Sequence, residues 1–151
     1  MALRFEEVTE SNYHELIELE VFPEQKDHFY FRSAKPNMMS LAEAYVFGNN
    51  SKVLAIYNDE TMVGAMFYNL SAEDEGRAWL IRFMIDKRYQ RKGFGRKALE
   101  MLMERVRREG AGTLSLSYVP HNKEGEKLYH SMGFRPTGET LGEQIVVRVG
   151  L

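Results

Sequence analysis

The sequence predicts an α/β (α+β) fold in which one mixed sheet is covered by helices. Three observations carry that expectation. Short segments with apolar residues at alternate positions are interspersed with segments whose apolar residues recur at helical spacing, in the order βα(α)βββαβαββ. The chain has 151 residues, long enough to bury one sizeable core and too short for two. No Pro-, Ser- or Gly-rich linker and no internal repeat divides it, so residues 1–151 are expected to form a single domain.

The first strand is expected over Leu3 to Val8, after which Thr9 stands where it can cap a helix bearing Tyr13, Leu16, Ile17 and Leu19. Val21 to Asn37 has no clear period. It carries Phe22-Pro23, Phe29, Tyr30, Phe31 and Pro36 and reads as a partly helical aromatic loop. Ser40 and Glu43 have capping-box spacing, which predicts a short helix ending at Gly48. Lys52 to Tyr57 and Met62 to Asn69 flank the polar turn Asn58-Asp59-Glu60 as a hairpin, and a longer strand, Arg77 to Ile85, follows the acidic loop Glu73-Asp74-Glu75-Gly76. Phe94 to Arg108 places Ala98, Leu99, Leu102 and Val106 on one helical face, with Gly110 suited to end it. Thr113 to Tyr118 reads as a strand and Lys123 to Met132 as a helix stopped by Gly133. Phe134 to Leu141 and Gln144 to Val149 form a last hairpin around Gly142-Glu143.

Composition narrows the chemistry. The chain has no Cys, which excludes disulfides, zinc-thiolate sites and an acyl-cysteine intermediate. Its apolar runs are far shorter than the roughly 20 residues that span a bilayer, and Met1-Ala2-Leu3-Arg4-Phe5 lacks a signal-peptide pattern. A cytoplasmic protein without a membrane partner is expected. The net charge is −2, but Asp86 to Arg108 carries +6 and the remainder −8. A local basic patch on an acidic chain suits a small anion better than nucleic acid, which normally takes a broad basic face.

Within that patch, Gln90-Arg91-Lys92-Gly93-Phe94-Gly95 lies between a strand and a strong helix, where unpaired N–H groups and the positive helix end converge on an anion site. Gly93 and Gly95 allow close backbone approach to phosphate oxygens, and Arg88, Arg91, Lys92, Arg96 and Lys97 add positive potential. The spacing matches neither G-x-x-x-x-G-K-[ST] nor G-x-G-x-x-G, which disfavours a nucleotide triphosphatase or a dinucleotide dehydrogenase. Taken alone, Gly-x-Gly before a helix is equally compatible with a plain structural turn.

Downstream, Asn122-Lys123-Glu124-Gly125-Glu126-Lys127-Leu128-Tyr129 is followed by Met132-Gly133-Phe134. With Gln90, Gly93 and Gly95 as Q/R-x-x-G-x-G/A, and Asn122, Leu128, Tyr129, Gly133 and Phe134 as N-x-x-A-x-x-L-Y-x-x-x-G-F, the sequence resembles the GNAT superfamily of N-acetyltransferases from about Ala78 onward. Gly125 replaces the usual Ala, a change that leaves room for a cofactor and weakens the helix by roughly 1 kcal/mol. Arg77 to Asp86 with Arg88-Tyr89-Gln90 looks most like the bacterial spermine/spermidine acetyltransferases, which usually carry an acid where Ile81 stands.

The resemblance implies a mostly antiparallel sheet whose strands splay between Ile85 and Thr113 to admit acetyl-CoA, the acyl donor, with no metal. It implies that the backbone of Phe83, Met84 and Ile85 pairs with the pantetheine arm, and that Gln90, Arg91, Lys92, Gly93, Phe94, Gly95 and Arg96 hold the pyrophosphate. Asn122 becomes a cofactor contact, although a helix N-cap explains it equally well. Tyr129 becomes the general acid that protonates the departing thiolate, where base rates alone favour a packed tyrosine. Transfer is direct, from donor to the primary amine of a small cationic acceptor, with spermidine and spermine as candidates. Amino acids, antibiotics and protein N-termini are other acceptors, and a non-catalytic acyl-CoA sensor is the alternative. The acidic residues Glu15, Glu18, Glu20, Glu24 and Asp27, with Glu73, Asp74 and Glu75, suit a cationic acceptor. Glu73, Glu75 and His121 are candidate bases, none of them singled out, and similar enzymes are often dimers.

Overall fold

The structure is a computed structural model that describes residues 2–29, 35–71 and 76–151. The aromatic pair Tyr30-Phe31 and the acids Glu73 and Glu75 lie outside the described residues. One seven-stranded sheet runs through the molecule in the order β1-β2-β3-β4-β5-β7-β6. Its strands are β1 (Leu3–Glu7), β2 (Ser51–Asn58), β3 (Thr61–Leu70), β4 (Arg77–Ile85), β5 (Thr113–Tyr118), β6 (Arg135–Leu141) and β7 (Gln144–Gly150). The β4–β5 pair is parallel and every other pairing is antiparallel. A parallel pair needs a crossover, which α3 (Phe94–Arg108) supplies.

The two faces of the sheet bury different layers. Ala98, Leu99, Leu102 and Val106 of α3 pack with Leu54, Ile56, Leu80, Leu114, Leu116 and Phe134 on one face. On the other, Leu16 of α1 (Tyr13–Glu18), with Leu19 and Val21, covers Ala55, Tyr57, Met62, Ala65 and Met84. Period-two alternation on β2 divides Leu54 and Ile56 from Ala55 and Tyr57, so both faces are apolar and both are covered.

Strands β4 and β5 and helix α3 have the ends expected from the sequence, and α4 (Lys123–Ser131) stops one residue early. Two helix starts differ. Thr9 does not cap α1. Its hydroxyl turns to Ser11, while Asn12 holds the turn by accepting from Thr9 N–H at 2.8 Å and donating to the Glu7 carbonyl at 3.0 Å. At the other end, Leu19 has extended backbone and falls just beyond the helix. Helix α2 (Pro36–Phe47) begins a turn before Ser40, because Pro36 has a preset φ and no N–H to leave unpaired at a first helical position. Ser40 and Glu43 are thus interior residues and not a capping box. Ser40 Oγ bonds back to the Pro36 carbonyl at 3.1 Å, and Glu43 pairs with Arg82 at 2.6 Å. The stretch left without a period contains a 3₁₀ turn, Pro23–His28, in which Gln25 accepts from Phe22 N–H at 3.1 Å.

Candidate active site

The site begins with a break in the sheet. β4 and β5 pair from Arg77↔Thr113 to Leu80↔Leu116 and then part. The register between β3 and β4 shows why. Phe67 faces Arg82 and Tyr68 faces Leu80, so Ile81 is an extra residue, a β-bulge that bends β4 where its pairing with β5 ends. The bulge also reverses which residues face each layer: Ala78 and Leu80 belong to the α3 face, Phe83 and Ile85 lie against that same face, and Met84 turns to the other. From Arg82 to Ile85 one edge of β4 remains paired with β3, and the other borders a cleft of about 310 Å³.

Phe83, Met84, Ile85, Gln90, Arg91, Phe94, Gly95, Asn122 and Tyr129 all line this cleft, so motifs separated in sequence meet at one place. Lys92 and Arg96 are exposed beside it. Gly93 has φ +85°, a left-handed conformation that glycine adopts without strain, and it turns the chain into α3. No side chain caps the helix there, and an α-helix leaves its first N–H groups without internal partners. The loop therefore presents backbone donors at the positive helix end.

Several of these side chains have partners within the chain. Gln90 is a brace: its amide exchanges hydrogen bonds with Gln25 at 3.0 and 2.9 Å and donates to the Ile85 carbonyl at 2.9 Å. The Ile85 carbonyl is consequently engaged within the chain. Phe94 is buried in the core and also lines the cleft. Arg88 is turned to Asp86, bonding it through Nε at 2.8 Å, and its guanidinium lies over the Tyr89 ring. Arg91 pairs with Glu124 and Arg96 bonds Ser131 Oγ, so these cations are tethered to α4.

Asp86 is the residue that sequence reasoning missed. Its carboxylate is only 2% exposed and accepts from Arg88 N–H, the Arg88 guanidinium and Glu20 N–H. Burial by itself would push its pKa up, but those donors outweigh burial and hold it below the ordinary carboxylate value. Asp86 ties the end of β4 to the segment leading into the Pro23–His28 turn, with the Lys87 N–H to Glu20 carbonyl bond at 2.7 Å as a second tie. Only its place at the strand end, before a basic run, marks Asp86 in the sequence.

On α4, Asn122 is an N-cap: its Oδ1 accepts from Gly125 N–H at 3.0 Å, and the residue also lines the cleft. A Cβ at position 125 would lie 2.6 Å from Asn122 Nδ2. A side chain there would crowd the cap, and Gly125 also lines the cleft. Tyr129 packs between Tyr118 and Phe134, with ring centroids 5.7 and 5.9 Å away. Burial, with a smaller effect from Tyr118, raises its pKa to about 12, so the phenol stays protonated at neutral pH. Tyr118 donates to Glu126 at 3.0 Å, leaving Tyr129 the tyrosine of this pair whose hydroxyl has no partner among the described residues.

The opposite wall comes from Val21, Gln25, His28 and Phe29, with Ile81, Ser117 and Gln144 between. Ile81 places no carboxylate there. His121, one of the candidate bases, is exposed, and its Nε2 lies 3.0 Å from Asp27 Oδ2. Among the described residues no helix is long and apolar enough to cross a membrane.

Comparison with known proteins agrees with this geometry. The model of the acetyltransferase (GNAT) family matches residues 7–134. The spermine/spermidine N(1)-acetyltransferase of Bacillus subtilis is 31% identical over 98% of this chain and 99% of its own length. The ribosomal protein bS18-alanine N-acetyltransferase of Escherichia coli is 39% identical over 57 residues, 38% of each chain. Among solved structures, spermidine N-acetyltransferase from Vibrio cholerae, in complex with CoA and spermine, has a TM-score of 0.78 over 99% of this chain and 94% of that one. At 14% identity this is a likeness of fold.

Proposed function

This chain is an N-acetyltransferase belonging to the GNAT family, whose acyl donor is acetyl-CoA, and on that premise we propose that it acetylates a primary amine of a small polycation of the spermidine and spermine class. The observation that carries the reading is the parting of β4 and β5 beyond Leu80 and Leu116, with Gly95, Asn122 and Tyr129 gathered along the opening. The residues fit the donor. Backbone groups of Phe83 and Met84 border the cleft as an added strand would require, and the N–H groups at the start of α3 suit a pyrophosphate. When bound, the donor supplies an activated thioester carbonyl.

The chain's part is positioning and proton transfer. The acceptor nitrogen attacks the thioester carbon; a C–N bond forms, the C–S bond breaks, the amine gives up a proton to solvent, and the thiolate takes one from Tyr129. Burial keeps the phenol protonated at neutral pH and makes it a weaker acid than an ordinary thiol of pKa about 8.5, so the donation runs uphill, and solvent then restores the proton to Tyr129. An amine of pKa near 10.4 arrives mostly charged, so its neutral fraction limits the rate unless the site lowers that value. Support for a polycation comes from the full-length polyamine-acetylating relative and from the carboxylates of Asp27, Glu124 and Glu126 near the opening.

The test is release of free CoA from acetyl-CoA across a panel of polyamines, amino acids, aminoglycosides and an Ala-initiated peptide. Spermidine and spermine are expected to give the highest kcat/KM. Preference for the peptide by 10-fold or more would replace the polyamine reading with the one suggested by the partial Escherichia coli relative.

A further inference from the structure

Beside the cleft, which His28 lines, two distant segments bring metal-binding atoms together. Asp27 and His28 end the 3₁₀ turn, and His121 sits between β5 and α4. His121 Nε2 lies 3.0 Å from Asp27 Oδ2, His28 Nε2 lies 3.9 Å from Asp27 Oδ1, and one donor atom from each of the three residues falls within 4.8 Å of the others. Both rings turn the same nitrogen toward the carboxylate, with their centroids 5.4 Å apart.

An ion pair accounts for His121 and Asp27 but not for His28. At 3.9 Å its contact with Asp27 is too long for a hydrogen bond. In a tetrahedral site with bonds of about 2.0–2.1 Å, ligand atoms stand about 3.3 Å apart. The observed separations bracket that value. Closing the widest of them takes a shift of about 1.5 Å, shared among side chains that are 21%, 44% and 57% exposed.

We propose that Asp27, His28 and His121 form a site for a divalent transition-metal ion of the zinc class, with a fourth position open toward the cleft. Two imidazoles and one carboxylate favour zinc, cobalt or nickel over magnesium or calcium, which take oxygen ligands. The ion clamps the Pro23–His28 turn to the β5–α4 connection. Because His28 lines the cleft, metal occupancy restricts entry of the amine; this consequence rests on the acetyltransferase reading, whereas the site does not.

The test is titration of the full chain with Co²⁺, followed by its visible d–d absorption and then by displacement with Zn²⁺. One equivalent is expected to give an intense band of four-coordinate type, with H121Q and D27N each weakening binding at least 10-fold and the distant H14Q and H130Q leaving it unchanged. Far-UV circular dichroism of each variant separates loss of the site from loss of the fold, and exposed His121 is the safest position to change. Absence of saturable binding, or equal affinity in the H28Q/H121Q double variant, overturns the site. In the enzyme assay Zn²⁺ is expected to raise the amine KM about 10-fold, leave the acetyl-CoA KM alone, and lose this effect in H121Q. A chain that acetylates no polyamine but keeps the Co²⁺ band refutes the polyamine reading and supports the site.

Discussion

The two walls of the cleft are built by different means. On one side, Gly95, Asn122 and Tyr129 belong to two short contiguous segments, each running into a helix, and the turn at Gly93 adds unpaired backbone N–H groups at the start of α3. On the other, Val21, Gln25, His28 and Phe29 come from a 3₁₀ turn held in place by long-range side-chain bonds, chiefly Gln25–Gln90 and Asp86 to Glu20 N–H. A backbone wall suits a donor whose shape is constant. A side-chain wall can be altered residue by residue without disturbing the first, and both are anchored by the Asp86–Gln90 segment.

Experiments that separate the walls follow from this contrast. The largest effect is expected for Tyr129→Phe, which should lower kcat about 100-fold or more while leaving the acetyl-CoA Kd within about two-fold. Steady-state rates beside calorimetric titration decide it, and unchanged turnover removes the proton-donor role. With its phenol raised to about 12, the wild type should show no loss of kcat from ionisation of Tyr129 up to pH 10.

Asp86→Asn strikes the anchor common to both walls. It should cost about 2–3 kcal/mol of stability and raise the KM of both substrates, since charge-assisted bonds are lost in a buried place. The folded-state pKa lies below the ordinary 3.8, so the stabilisation is present above that value and is lost as pH falls through the folded pKa. Urea melts of the two proteins should therefore converge below pH 3.8.

Gly93→Val sharpens the comparison on the backbone side. A β-branched residue at φ +85° carries a strain of about 1–2 kcal/mol, expected to raise the acetyl-CoA KM roughly 10-fold and the amine KM less than two-fold. Gln25→Leu is the converse and the smallest effect. Loss of its amide pairing, about 1 kcal/mol, should raise the amine KM several-fold and spare acetyl-CoA. Equal changes in both KM values for either variant would show that the walls are not independent.

How much was legible differs between the walls in the same way. The glycine loop, Asn122 and Tyr129 stand at fixed spacings within a strand–loop–helix context, and α3 has the expected bounds because its apolar stripe, Gly93 and Gly110 all agree. The 3₁₀ turn had no period to read, since it buries no residue of its own and is placed by partners some 65 positions away. Ser40 and Glu43 misled because a capping box is a local signal, and here a nearby proline and Arg82 on another element decided the helix start and the side-chain partners.

The amino-acid sequence by itself determined the order of elements, the absence of cysteine chemistry, and the glycine turn into α3. Those depend on periodicity, composition and local chain conformation. Tertiary structure alone decided that Ile81 is a bulge, that Gln90 braces the two walls, that Asp86 is buried among donors, and that Asp27, His28 and His121 meet. Each of these depends on which distant atom lies across a gap of a few ångströms, and spacing along the chain carries no record of that distance.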